Sequence, residues 1–343
     1  MTGPELTRLV ECVPNVSEGR RPEVVEEIVA AFAGAAPEVL VLDTSSDPDH
    51  HRTVITLMGP GPALVEAAVA GARACARLID LNAHRGVHPR MGALDVLPFV
   101  PFGAVTRLRG GDDPDLDCAD LAERAGRRIA EEAGVPVYLY GAAARHPGWA
   151  ALPAVRGRGF EALRAALAAG DSQREPDLGG PGLHPTAGAT AVGAREVLIA
   201  YNVELAGADL ALARRIASAV RERDGGLPAV RAMGVPLERR GGPGDRRGGP
   251  PEGRGGPPEG RGLVQVSMNL LDWRATPPAA AYAAVAELAE RDGARVEASE
   301  IVGLAPAGAL AGVDPADLRL RDLTTDLLLE SRLLHALTTA KET

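Results

Sequence analysis

The segment His84-Arg-Gly-Val-His-Pro-Arg-Met-Gly-Ala-Leu-Asp95 gathers two histidines, two arginines, a carboxylate, two glycines and a proline, and an apolar run, Val96 to Phe102, follows it directly. Much of the remaining chain is Ala, Val, Leu and Gly, so this density of polar functional groups is local. His84 and His88 stand four apart, as metal ligands on one helix face would, but Gly86 and Pro89 oppose a helix there. The pattern predicts a tight loop leading into a strand. Loops held by a rigid scaffold are where catalytic side chains tend to sit.

The groups themselves suggest a chemistry. His88 lies between Arg85 and Arg90, whose guanidinium charges disfavour an imidazolium and leave the neutral ring available as a base. Arg85 and Arg90 can each hold a carboxylate in a two-pronged fork. Arg52, at the mouth of another strand, joins them if the sheet brings the strand ends together. A base beside carboxylate-binding arginines suits an acyl-type transfer between an amine and an acidic substrate. His84, His146 and His335 are expected to be structural. A metal site built from His50, His51, His84 and His88 with Asp43, Asp47 and Asp49 is the competing reading, but no spacing matches a recognised metal motif. No metal is expected. The glycines of Gly179 to Gly188 follow no predicted strand and match no phosphate-loop pattern.

These groups need a scaffold, and the chain is long enough for one. Its 343 residues allow two or three domain-sized cores, 45% are hydrophobic, and aromatics at 3% are scarce. The core must therefore come from Ala, Val and Leu, which favours close helix-on-sheet packing. A net charge of -9 argues against non-specific nucleic-acid binding, so an anionic substrate has to be captured by local arginines. Cys12, Cys75 and Cys118 are scattered and show no C-x-x-C spacing, which suits a reducing compartment. Without a signal-peptide core or an apolar run of membrane-span length, the expectation is a cytoplasmic protein that binds neither nucleic acid nor membrane.

Apolar periodicity predicts strands at Leu9–Val13, Val39–Leu42, Val54–Met58, Val96–Phe102 and Val135–Tyr140. Helices are predicted over Val24–Phe32, Leu64–Ile79, Leu116–Glu132 and Phe160–Ala169, with a polar connection from Asp43 to Arg52. The order begins βαββαβ, the split βαβ arrangement of ferredoxin-like domains. Gly and Pro concentrate from Pro176 to Gly188, which places a boundary there: residues 1–178 and 179–343 are the expected subdomains. The same order returns in strand Val197–Val203, helix Ala208–Arg223, strands Ala229–Leu237 and Leu263–Leu271, helix Pro278–Asp292 and strand Arg295–Val302. A closing helix is predicted over Leu318–Leu337. Arg239 to Gly262, almost entirely Gly, Pro, Arg, Glu and Asp, is expected to be a disordered hairpin-tip insert.

Six segments together resemble the glutamate formimidoyltransferase (formiminotransferase) family in its form without a cyclodeaminase domain. They are Val10–Gly19, Arg77–Asp80, His88–Phe99, Val135–Gly141, Gly188–Arg195 and Val266–Asp272, and His88-Pro-Arg-Met-Gly-Ala-Leu-Asp95 is the most specific. The resemblance implies transfer of the formimino group between N-formimino-L-glutamate and N5 of tetrahydrofolate, in histidine degradation and one-carbon metabolism. It implies an α/β (α+β) fold of two ferredoxin-like βαββαβ subdomains, with sheets facing each other, helices outside and folate in a basic tunnel. By this resemblance His88 is the catalytic base; because both substrates would be anionic, Arg90 and Arg52, with Asp95, are the candidate substrate-binding residues. The folate-binding loop falls on Gly179, Gly180, Pro181, Gly182, Leu183, His184, Pro185, Thr186, Ala187 and Gly188. Tetrahydrofolate, with or without a polyglutamate tail, is then a co-substrate, and a homodimer is the expected assembly.

The chain also departs from animal members. They carry a fused cyclodeaminase domain, so release of ammonia from the product is expected to need another protein or to follow a different route. Ala187 matches the bulky tryptophan of their folate loop, His51 their asparagine, and Ser45 an acid. A glutamate formyltransferase using 5-formyltetrahydrofolate and a metal-dependent formiminoglutamate hydrolase are the alternative activities.

Overall fold

Breaker residues and apolar spacing explain why the first elements form where they do. Pro22 opens helix α1 (Pro22–Ala33), whose buried Val24, Val25, Ile28 and Phe32 fall on one face. Helix α2 (Gly61–Leu78) lies against it, and a Cβ added at Gly71 would come within 2.1 Å of the Phe32 ring. Small residues here let two helices approach closely. The computed structural model describes residues 8–48, 50–86, 89–103, 105–237, 263–321 and 327–339.

The chain divides into two units: Met1–Val197 with Arg332–Thr343, and Leu198–Ser331. The first holds a seven-stranded sheet. Its strands are β1 (Leu9–Cys12), β2 (Asn15–Val16), β3 (Leu40–Asp47), β4 (Arg52–Pro60), β5 (Leu94–Pro101), β6 (Val137–Gly141) and β7 (Thr190–Ala194). β1 and β2 are one strand interrupted at Val13-Pro14, and both pair with β4 on one side and β5 on the other. With β3 on the far edge of β4, this part is the expected antiparallel ferredoxin-like sheet. The sheet then continues past β5 through β7 to β6, and both added pairings are parallel. β5, β6 and β7 are buried almost throughout, as parallel strands covered on both faces must be. One apolar cluster covers one face, and a second, containing Met91, Val96, Tyr138, Trp149 and Leu163, covers the other.

Several expectations change in this unit. Thr190–Ala194 is an inner strand of the first sheet, so the division falls at Val197/Leu198 rather than at 178/179. The polar Asp43–Arg52 connection is mostly strand, with a turn between Asp47 and Arg52. Helix α3 (Cys118–Arg128) is capped by Asp117, which accepts from the N–H groups of Ala119 and Asp120, and it ends in a wide turn, Ile129–Ala133. Short helices α4 (Leu152–Arg156) and α5 (Phe160–Ala168) follow.

The second unit is β8 (Ile199–Ala206), α6 (Leu210–Val220), β9 (Val230–Pro236), β10 (Val264–Leu270), α7 (Pro278–Arg291) and β11 (Arg295–Val302). Its antiparallel order, β11-β8-β10-β9, is that of a ferredoxin-like βαββαβ domain. Alternation sends Tyr201, Val203, Val266 and Met268 to the helix-covered face, and Asn202, Glu204 and Gln265 to the other. Pro236 pairs with Val264, so β9 and β10 are the paired flanks expected around Arg239–Gly262, a segment outside the described residues. The last helix, α8 (Leu329–Thr339), starts later than expected. Before it, Leu320 bridges to Ser299 and Leu328 to Ala305.

Candidate active site

The ends of β2, β4 and β5 and the loop after α2 bring Ser17, His50, His51, Arg52, His84, Arg90 and Asp95 around one narrow cleft. Distant sequence positions meet here because β4 lies beside β2, and β2 beside β5. Arg52, Arg90 and Asp95, singled out in the sequence, are thus neighbours, as the sheet had to arrange. His88 lies outside the described residues.

Glu18 is the anchor of this corner, and its side chain is fully buried. One carboxylate oxygen accepts from the backbone N–H groups of Gly19, Arg20 and Arg21 at 3.0, 2.9 and 3.0 Å, and the other takes the Arg21 guanidinium at 2.7 Å. Burial opposes its ionisation, but these donors outweigh burial and hold the carboxyl below the usual carboxylate range. His51 Nε2 stands 3.5 Å from the same carboxylate. Burial, more than the nearby Glu18 charge, decides the His51 ring and favours its neutral form.

His84 is held as a neutral imidazole. Its Nε2–H donates to the His51 carbonyl at 3.0 Å, and its Nδ1 accepts from Arg90 Nε at 3.0 Å, which fixes the tautomer. Burial and the contact with His51 set its affinity for a proton, and burial wins by lowering it. The two rings meet edge to face, 4.2 Å between centroids at 81°. The expectation that His84 is structural fits this geometry. His146 accepts from Gly148 N–H at 3.2 Å and packs on Trp149.

The guanidinium of Arg90 is fully engaged. Nη1 and Nη2 clasp Glu161 of α5 at 2.9 and 2.7 Å, and Nη2 also reaches the carbonyls of Leu81 and His84. Arg90 therefore ties the loop to α5. Asp95 is buried, accepting from Met91 N–H at 2.7 Å and from Arg156 of α4 at 2.7 Å. Arg52 is half-buried near Arg156, and desolvation followed by that second cation lowers it to about 10, so it stays charged near neutrality. In the same turn His50 donates to Asp47 at 2.8 Å.

The Gly179–Gly188 segment belongs to the first unit, and its end docks against this site. His184 and Gly188 exchange backbone hydrogen bonds at 2.9 and 3.0 Å, and Thr186 and Ala187 carbonyls accept from Leu81 and Ala93. Gly188 has φ +70°, and a Cβ there would meet the Met91 carbonyl at 2.2 Å, so glycine is needed for the fold. Gly182 faces open space.

Sequence reasoning missed Glu18, Arg156, Glu161 and Arg164. Glu18 had a signal: a carboxylate before the first turn of a helix, where backbone N–H groups are free to be accepted. The partners on α4 and α5 had none, because their pairing depends on chain return over long separations.

Comparison with known proteins places the whole chain in one family. The model of the formiminotransferase domain N-terminal subdomain matches residues 9–195, and that of the formiminotransferase domain matches 200–324. The chain is 39% identical over 329 residues to a glutamate formimidoyltransferase of Thermoplasma acidophilum, covering 96% of this chain and 98% of the relative. It is 36% identical to another from Streptococcus pyogenes, covering 92% of this chain and 95% of the relative. With the formimidoyltransferase-cyclodeaminase of Sus scrofa it shares 39% identity and spans 51% of that protein. By both domain matches and full-length likeness, the chain belongs to the formiminotransferase family.

Proposed function

We propose that this protein transfers the formimino group from N-formimino-L-glutamate to N5 of tetrahydrofolate, releasing L-glutamate and 5-formiminotetrahydrofolate. The observation that carries the reading is the likeness to two glutamate formimidoyltransferases over nearly the whole of each chain. The reaction needs a proton removed from the attacking amine and one returned to the departing amine. His88 is the proposed general base, on its place in the family motif. Its support from the described residues is indirect: His84 and Arg90, on either side of it in sequence, are fixed to the β3–β4 turn and to α5. Arg52 and Asp95 are proposed to shape the charge of the substrate cleft, and Gly179–Gly188 to contact folate. A cytoplasmic homodimer is the proposed assembly, open to sedimentation analysis. No described helix is long and apolar enough to cross a membrane.

A coupled assay with formiminoglutamate and tetrahydrofolate, following 5-formiminotetrahydrofolate, tests the activity. His88→Ala is expected to lower turnover by about 10²–10⁴-fold, the size of a lost general acid–base contribution. It should also remove the acidic limb of the pH–rate profile while leaving folate binding intact. Near-normal turnover in that variant would refute the assignment.

A further inference from the structure

Beside the narrow cleft lies a larger, solvent-open cavity of about 420 Å³, a volume suited to a small-molecule ligand. Three arginines, Arg85, Arg90 and Arg164, and one carboxylate, Glu161, belong to its lining. The Arg90–Glu161 fork neutralises one pair, which leaves two cations to be accounted for.

Those two are held by neutral acceptors. Arg164 donates through Nη1 to the Asn82 side-chain oxygen at 2.8 Å, with its guanidinium 4.9 Å from the centre of the Phe160 ring. Arg85 donates through Nη1 to the main-chain carbonyls of Asn82 and His84 at 3.0 and 2.8 Å. Both guanidiniums are therefore anchored on one residue. Asn82 in turn is fixed through its side-chain N–H bonds to Asp80 at 2.8 Å and the Pro185 carbonyl at 3.1 Å. A carbonyl or amide oxygen orients a guanidinium without cancelling its charge. Among the described residues neither Arg85 nor Arg164 makes an ion pair.

We infer that this cavity is a carboxylate-recognition subsite, with Arg85 and Arg164 as its grips and Asn82 as their common mount. A planar guanidinium with one edge tethered still offers its remaining N–H groups to a carboxylate. The protein as a whole carries a net charge of -9, so the subsite works by close contact and not by long-range attraction. Arg90, an expected carboxylate ligand, instead supports the wall through Glu161. The naming of the ligand rests on the proposed function: both substrates end in glutamyl carboxylates, which share the chemistry these arginines recognise.

Calorimetric titration of the full chain with L-glutamate at low salt tests the subsite without requiring turnover. Arg164→Gln and Arg85→Gln, both at exposed positions, should each weaken binding about tenfold, and Arg164→Lys should recover part of the loss. Unchanged binding in both Gln variants would overturn the inference. So would displacement of glutamate by inorganic phosphate as readily as by glutarate. Kinetics then distinguish the source. A raised KM for formiminoglutamate at unchanged kcat assigns the grips to the amino-acid substrate. Loss of a preference for triglutamyl over monoglutamyl tetrahydrofolate assigns them to the folate tail. Absence of any transfer by the wild type would refute the proposed function while leaving the glutamate titration to judge the subsite.

Discussion

Both units use the βαββαβ order, yet they treat buried charge differently. In the second unit, Glu204 is the one carboxylate buried among the described residues, and its partner Arg321 remains 44% exposed. The first unit buries Glu11, Glu18, Asp95 and Asp117, together with His84. Glu18 and Asp117 are satisfied by nearby backbone N–H groups, whereas Asp95 depends on a sheet extended by β7 and β6, with α4 and α5 returned to the cleft by the chain between them. Those additions deliver Arg156 to Asp95 and Glu161 to Arg90. A bare four-stranded sheet with two helices has few places from which to satisfy an ion taken out of water. The lesson is that the chemistry here depends on what is appended to the common fold.

Removing one carboxylate from each unit gives the largest expected contrast. Glu18→Ala leaves three backbone N–H groups and the Arg21 guanidinium without their acceptor, and should cost roughly 3 kcal/mol. Glu204→Ala releases a half-exposed arginine to water and should cost about 1 kcal/mol. Urea unfolding, with hydrogen exchange to separate the units, measures both. Equal losses would erase the distinction.

Acid should separate the units next. His51 and His84 bind protons less readily when folded, chiefly through burial, so their ordinary value of 6.5 marks the top of the affected window. Their contribution is complete above that value. As pH falls below it the unfolded chain takes up protons first, and stability is lost. Residues 198–331 contain no histidine and should be flat over the same range. Exchange-detected stability between pH 7.5 and 5.5 checks this, and His84→Leu should flatten part of the response in the first unit.

The smallest effect belongs to the insert. Replacing Arg239–Gly262 with a short turn should leave activity and melting temperature nearly unchanged, since β9 and β10 are paired right up to it. A drop in either would give that segment a part in the fold or the site.

How much of this was legible in the sequence varies by element. The second unit could be read almost strand by strand, because its edges alternate and its helices carry clear apolar faces. Thr190–Ala194 could not be read as a strand from its own residues, which are small and without a period. Its place depends on contact: a Cβ at Gly193 would come within 2.4 Å of the Tyr140 carbonyl. The cluster of Arg52, Arg90 and Asp95 was legible as a collection of charges, but their partners were not. Glu161 lies 71 residues beyond Arg90, and local spacing carries no information about which charge a guanidinium will meet after such a return. Position 88, most prominent in the sequence, falls outside the described residues.

The turn that carries His51 imposes a filter on the amino-acid alphabet. Its backbone sits at φ +51°, a left-handed conformation where asparagine, aspartate and histidine are enriched over most other non-glycine residues. Asparagine and the histidine of this chain both pass that filter. Exchange between them leaves the turn and its carbonyl, the acceptor for His84, in place. The cleft can thus change its proton-binding side chain at this point while its backbone stays the same, and a β-branched residue would be stopped at the main chain before its chemistry could be tried.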